Sequence, residues 1–266
     1  MAVVLITGCS SGFGVEFAVA FARRGDRVIA TMRDVARSAA LLERLGQLSV
    51  EVRALDVTDP ESIQRVVSES ERIDVLVNNA GIGVVSALET IDAVSLRQVF
   101  ETNVFGALAV TQAVLPKMRA QGSGRVVFVS AIGAILNTPY LGAYCASKHA
   151  LDCLAATLDI ETRAFGIRVS SVLPGAFNTG MADNIQRAYA EPYAEAAERY
   201  FAGLTSRMDA GGRDLSPVAR AVIEAATADD PKVRYLVAPH LVEVLGPVMD
   251  QLARLHEREL ALQTRA

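Results

Sequence analysis

Apolar runs recur along the chain, separated by segments with a helical repeat. The first, Ala2-Val-Val-Leu-Ile6, is apolar at every position. That is the pattern of a strand buried on both faces, not of one with a solvated side. Further strands are expected at Asp26–Thr31, Val50–Asp56, Ile73–Val77, 124–130, Ile167–Leu173 and Val233–Val237, about seven in all. Helices are predicted between them: one to about Arg24, then near 35–45, from Pro60 to about Arg72, over 93–119, 142–165 and 216–228, and in the tail at 240–264. Asp59-Pro60-Glu61 reads as an N-cap with proline in the first helical position. In the segment after Lys148, the positions Ala150, Leu151, Leu154, Ala155 and Leu158 keep a helical period. Strands alternating with helices imply right-handed crossovers and a parallel sheet covered on both faces. The expected fold is therefore α/β, a doubly wound parallel sheet with helices on both faces, in a single domain over 1–266.

Composition agrees and removes some functions. The chain has 266 residues, 51% hydrophobic and 21% charged, enough for one full-sized core. No Pro/Gly/Ser-rich break divides it. A net charge of −4 and a pI near 5.5 give no electrostatic reason to expect nucleic acid or an acidic membrane surface. No apolar run reaches the ~18 residues of a transmembrane segment, and no signal peptide precedes the first strand, so a cytoplasmic location is expected. Cys9, Cys145 and Cys153 show neither disulfide nor metal-ligand spacing. Reduced thiols and no metal are expected, with Cys145 a small packed group. His240 and His256 read as surface or capping residues.

The chemistry-bearing residues follow strand carboxyl ends, where ligands bind in such sheets. Gly8-x-x-x-Gly12-x-Gly14 joins the first strand to its helix, with Ser10, Ser11 and Phe13 between. Small residues there let backbone approach a pyrophosphate, and the helix N-terminus favours its charge. An ordinary tight turn is the alternative. Thr31 stands where an NAD site usually carries an acid, and Arg33 follows. A guanidinium fork suits a 2′-phosphate, so the expected cofactor is NADP(H). Alternatively Arg33 is solvated and pairs with Asp34. Asp56 can receive an adenine amino group or form a turn. Asn78-Asn-Ala-Gly81 can tie the sheet together, wall the cofactor, or both. Asn103, in an apolar helix, can be a satisfied core amide or hold a water behind the next pair. Tyr144 and Lys148 lie four apart, one helical turn, and a neighbouring cation would lower the phenol pKa. Alone, such a pair is commonly a solvated surface pair. Ser130 ends a strand upstream and offers a hydroxyl to a carbonyl oxygen.

Taken in order, Thr7-Gly-x-x-x-Gly-x-Gly14, Asp56-Val57, Asn78-Asn-Ala-Gly81, Asn103, Ser130, Tyr144-x-x-x-Lys148 and Pro174-Gly175 resemble the short-chain dehydrogenase/reductase family in its compact branch, a Rossmann-type fold. Ala30-Thr-Met-Arg-Asp34 and Tyr144-Cys-Ala-Ser-Lys148 are similar to hydroxysteroid (estradiol-type) and retinol dehydrogenases. The resemblance implies an NADP(H)-dependent oxidoreductase interconverting a ketone or aldehyde and an alcohol. Tyr144 would be the acid or base, and Lys148 would lower its pKa and bind the nicotinamide ribose. Ser130 would hold the substrate oxygen, and Asn103 would complete a relay through water. It further implies cofactor contacts from Gly8, Ser10, Ser11, Gly12, Phe13, Gly14, Arg33, Asp56, Val57, Asn79, Ala80, Gly81, Pro174, Gly175, Phe177 and Thr179. Relatives pair through their long helices, which implies a homodimer or homotetramer. The substrate is expected to be an apolar or bulky small molecule, steroid-like or retinoid-like. Ile132, Leu136, Tyr140, Met181 and Tyr189 are the candidate contacts, with 181–213 a candidate lid hinged at Gly211-Gly212. A non-catalytic NADP(H)-binding regulator would keep the fold but lose Tyr144 or Lys148. An epimerase or dehydratase using the same pair would usually need a longer substrate domain.

Overall fold

The computed structural model describes residues 1–180, 185–210, 214–238 and 241–263. Among them, nine strands follow in order: β1 Val3–Ile6, β2 Arg27–Met32, β3 Glu51–Ala54, β4 Val75–Asn78, β5 Val84–Val85, β6 Gly124–Val129, β7 Ile167–Pro174, β8 Gln186–Arg187 and β9 Arg234–Val237. Seven form one sheet in the order β3-β2-β1-β4-β6-β7-β9, while β5 and β8 form a small separate ribbon. Every neighbouring pair in the large sheet is parallel. The helices are α1 Gly12–Arg23, α2 Ala39–Leu45, α3 Pro60–Ser68, α4 Ala93–Phe100, α5 Ala107–Gln121, α6 Gly142–Thr162, α7 Ala194–Ala210, α8 Ser216–Thr227 and α9 Val242–Gln263.

The sheet carries a core on each face, which is why an inner strand such as β1 is apolar without alternation. Val4, Ile6, Val127 and Val129 pack with Phe17, Phe21 and Val222, under α1 and α8. Leu5, Leu76, Val126 and Phe128 pack the other way, against α3, α5 and α6. From β1 the chain winds outward to β3, then returns to β4 on the other side of β1. Strand order reverses there, and a crevice opens at the carboxyl ends.

Three expectations change in detail. The helix predicted over 93–119 is α4 and α5 joined by a wide π turn, Glu101–Gly106. Asn103 sits in that turn and is fully buried, its amide tied to Ile82 of the loop after β4. The third helix stops at Ser68, because the Ser70 hydroxyl bonds back to the Val66 carbonyl at 2.8 Å. Asp59 caps it through the Glu61 N–H as expected. His256 is not a surface residue: it is 6% exposed and its Nε2 lies 3.0 Å from Oδ2 of Asp159 on α6. Asp159 is wholly buried and takes further bonds from Arg163, Arg168 and the Val169 N–H. Burial opposes its charge, but His256, Val169 and the two arginines bring its pKa down to about 2. A buried carboxylate needs such partners, so His256 is drawn inward and pins α9 to α6. His240 lies outside the described residues.

Candidate active site

The crevice begins at the turn after β1. The Thr7 hydroxyl accepts the N–H groups of Asn79 and Ala80, both at 3.0 Å. The Asn79 amide donates to the carbonyls of Thr7 and Gly8 at 2.9 and 3.0 Å. The loops after β1 and β4 are thereby fixed to one another, and a side chain at position 8 has no room. Gly8 has φ +74°, and a Cβ there would come within 2.8 Å of the Ala80 Cα. Gly12, at φ +55°, is equally close to the Thr179 carbonyl oxygen. Phe13 stacks on Phe17 and meets Phe177 edge-on, which holds the turn against the loop after β7. Asn78, one residue earlier, bonds Thr111 of α5. Within the Asn78–Gly81 run, then, Asn78 ties the sheet to α5, Asn79 also walls the crevice, and Ala80 and Gly81 line it.

A cavity of about 530 Å³ runs from this turn across the carboxyl ends of the strands. Its wall brings together Gly8, Ser10, Ser11, Gly12, Phe13, Arg33, Asp56, Val57, Asn79, Ala80, Gly81, Ser130, Ile132, Tyr144, Lys148, Pro174, Gly175, Phe177 and Thr179. Gly14, Asn103, Leu136, Tyr140 and Tyr189 are not on the wall, and Met181 lies outside the described residues. Gly14 is instead packed against the Gly8 carbonyl, where no Cβ fits.

At the far end stand Tyr144 and Lys148, one turn apart on α6. Lys148 is 4% exposed, its Nζ donates to the Val129 carbonyl at 2.9 Å, and it lies 5.7 Å from the Tyr144 ring centroid. Burial lowers the Lys148 pKa to about 8. Burial also raises the Tyr144 phenol above its ordinary value, with the Cys145 side chain adding to the effect. The lowering expected from the neighbouring cation does not appear: burial sets the direction of the phenol's shift, and Lys148 contributes nothing against it. Asn103 is a satisfied core amide. Its Oδ1 accepts the Ile82 N–H at 2.8 Å, and its Nδ2 donates to the Ile82 carbonyl and the Ser147 hydroxyl. It still lies next to the lysine, since a Cβ on Gly81 would meet Asn103 Oδ1 at 3.3 Å and Lys148 Nζ at 3.6 Å. Ser130 reaches the cavity wall, but its hydroxyl donates to the Lys148 backbone carbonyl at 3.3 Å. Ala131, next along the chain, lines the same wall without a hydroxyl.

At the near end, Arg33 is exposed and does not pair with Asp34. The Asp34 carboxylate instead caps the turn Val35–Ser38 by accepting the Ala36 N–H at 3.0 Å. Asp56 is both a turn former and part of the wall: its Oδ1 accepts the Thr58 N–H and hydroxyl at 2.9 and 2.8 Å.

Over Tyr144 the wall is apolar: Ile132, Leu141, Ile185, Phe201, Leu204 and Met208, with Thr138 beside them. The last three come from α7. The segment from 185 is anchored twice, by pairing of β8 with β5 and by Arg187 over the Phe201 ring at 5.1 Å. Tyr140 and Tyr189 miss the wall because they pack behind it. Tyr140 meets Tyr200 edge-on, and Tyr189 joins the cluster around Phe201 and Leu204. Leu136 points outward, 37% exposed. Gly211 and Gly212 lie outside the described residues. The segment expected to cover the substrate supplies Ile185, Phe201, Leu204 and Met208 to the wall, while Arg37 and Thr138 were not singled out in the sequence. The helical spacing of Phe201, Leu204 and Met208 was the available signal.

The three cysteines are free, and burial pushes the Cys9 thiol up to about 12. Among the described residues no cluster could hold a metal, and no helix is long and apolar enough to cross a membrane.

The family model for short chain dehydrogenase matches residues 2–190. The chain belongs to that family of oxidoreductases. It is 34% identical to a 3-ketodihydrosphingosine reductase of Bacteroides thetaiotaomicron, over 91% of this chain and 90% of that one. It is 41% identical to human retinol dehydrogenase 8, over 65% of this chain and 58% of the relative. Among solved structures, a short-chain dehydrogenase from Streptomyces avermitilis matches with TM-score 0.80 at 36% identity, covering 99% of this chain and 97% of that one. A short chain dehydrogenase/reductase from Burkholderia phymatum in complex with NAD matches with TM-score 0.82 at 25% identity, over 98% and 95% of the two chains.

Proposed function

We propose that the protein is an NADP(H)-dependent carbonyl reductase and alcohol dehydrogenase acting on an apolar or bulky ketone or aldehyde. The observation that carries this reading is the single cavity that has the glycine turn at one end and the Tyr144–Lys148 pair at the other. The near end fits a dinucleotide phosphate: glycines stand where a Cβ would strike neighbouring backbone, and α1 presents its N-terminus. Ser11, the residue before α1, makes no side-chain cap bond, so its hydroxyl is available to a ligand. Arg33, not engaged by Asp34, favours the cofactor with the 2′-phosphate.

When bound, the nicotinamide supplies or accepts the hydride. Tyr144 supplies the proton. Its raised pKa keeps the phenol protonated at neutral pH, the state needed to give a proton to a carbonyl oxygen as that oxygen becomes an alcohol. In oxidation the phenolate takes the proton from the alcohol, so that direction is favoured as rising pH deprotonates the phenol. Lys148, with a pKa near 8, is mostly charged at pH 7 and stands beside both the phenol and Gly81. In this reading its ammonium bonds a ribose hydroxyl of the cofactor and steadies the phenolate. Asn103 holds the loop carrying Gly81 and Ile82 against α6. For Ser130 to hold the substrate oxygen, its hydroxyl has to leave the Lys148 carbonyl, at a cost of about 1 kcal/mol.

The apolar wall from Ile132, Leu141, Ile185, Phe201, Leu204 and Met208 excludes water and suits an aliphatic or polycyclic substrate. The names of the retinol and ketosphingosine relatives point the same way. The exposed Phe105, Val94 and Leu96 on the α4–α5 unit offer a surface for a homodimer or homotetramer.

The test is turnover of a panel of retinoid, steroid and long-chain ketones with NADPH and with NADH. Tyr144→Phe is expected to lower kcat by about a hundredfold or more; unchanged turnover would remove Tyr144 from the chemistry. Ser130→Ala separates two roles. A loss of about tenfold or more in kcat/KM fits a serine that holds the oxygen, and a loss within about twofold fits a strut between β6 and α6.

A further inference from the structure

Beside the glycine turn a recess of about 350 Å³ opens off the main cavity, lined by Ser10, Met32, Arg33, Asp34 and Arg37. Ser10, Met32, Arg33 and Arg37 belong to both walls, so the recess and the cavity are continuous. Arg37 lies four residues after Arg33, and the intervening chain is not a regular helix. The turn Val35–Ser38 folds back after Asp34, with Arg37 at φ −87° and ψ 17°, and its N–H returns to the Asp34 carbonyl at 3.1 Å. That turn brings Arg37 to the wall of the same recess as Arg33. Arg24, Arg27 and Arg44, by contrast, are held in ion pairs with Asp26, Glu51 and Glu16. The guanidinium groups of Arg33 and Arg37 make no hydrogen bond or ion pair among the described residues. The only carboxylate on the recess wall, Asp34, is occupied with the Ala36 N–H.

Two like charges on one concave surface repel unless an anion lies between them. Ser10 adds a hydroxyl to the wall, and buried Met32 an apolar floor. The chemistry this selects is a doubly charged, multi-oxygen anion, which guanidinium forks bind by paired hydrogen bonds. We infer that Arg37 is a second specificity residue, closing with Arg33 on the 2′-phosphate of the adenosine half of the cofactor. The inference rests on the NADP(H) reading above and adds to it a residue and a geometry: a phosphate held from two sides of a folded-back turn.

The test is a binding measurement by isothermal titration calorimetry on the full chain, with adenosine 2′,5′-bisphosphate and adenosine 5′-phosphate as probes. The wild type binds the bisphosphate more tightly. Arg37→Ala weakens it by about three- to tenfold and leaves the monophosphate within about twofold. Arg37→Lys, which keeps the charge and loses the fork, falls between. If Arg37→Ala weakens both probes equally or neither, Arg37 has no part in the 2′-phosphate site while the NADP(H) reading stands. If the wild type does not prefer the bisphosphate, that reading and this inference both fail.

Discussion

Lys148 holds an ammonium where burial opposes it, and its pKa of about 8 measures that opposition. The folded-state value lies below the unfolded one of 10.5, so the neutral amine suits the fold better. The penalty is fully present below about pH 8, shrinks as pH rises from 8 to 10.5, and is gone above. A depression of this size corresponds to about 3 kcal/mol at neutral pH, partly offset by the bond to the Val129 carbonyl. Lys148→Met is therefore expected to raise Tm at pH 7 by a few degrees while reducing turnover severely. The gain should vanish by about pH 10.5. A Tm that falls at pH 7, or a gain independent of pH, contradicts this account. Tyr144 runs the other way: its raised value favours the protonated phenol, and the fold loses stability as pH climbs above 10.

Among the elements, α7 decides what can sit over Tyr144. Phe201 is 5% exposed, lies under Arg187, and lines the cavity together with Leu204 and Tyr144. Phe201→Ala is expected to raise KM for bulky apolar ketones by about tenfold, as a large apolar contact is lost. The affinity for adenosine 2′,5′-bisphosphate should not change, since that end of the cavity is built from the turns after β1 and β2. Equal loss at both ends would mean that α7 supports the fold and not the substrate. This element was the hardest to read in the sequence. The segment 181–213 shows aromatics at helical spacing, but Tyr189 packs behind the wall and Phe201 on it, a choice set by the β5–β8 pairing. Two-residue strands leave no periodic pattern. The π turn at Asn103 was hidden for a related reason: its hydrophobic spacing continues that of α4 and α5. Strand identities were legible because burial on both faces demands unbroken apolar runs, as in Val3–Ile6 and Val126–Val129.

At the scale of the whole molecule, the order β3-β2-β1-β4-β6-β7-β9 gathers sequence-distant turns at one edge of the sheet. That gathering was foreseeable from alternating strands and helices, and so was the placement of the glycine turn near Ser130, Tyr144 and Lys148. Side-chain direction was not. Ser130 turns toward the Lys148 carbonyl, Asn103 spends its amide on Ile82 and Ser147, and His256 goes inward to Asp159. Each answers a buried partner supplied by a distant part of the chain, and local pattern carries no trace of it. Arg37 escaped notice because its importance comes from a turn that only the fold reveals.

The central claim is that a hydride crosses this cavity to a carbonyl carbon while Tyr144 delivers the proton. The most direct measurement is isotope transfer: NADPH deuterated at the nicotinamide C4, an apolar ketone that is turned over, and mass spectrometry of the alcohol formed. The account predicts one deuterium on the carbinol carbon from one face of C4, and loss of labelled alcohol in Tyr144→Phe. Alcohol formed without deuterium from either face, or full labelling in the Tyr144→Phe protein, would contradict it.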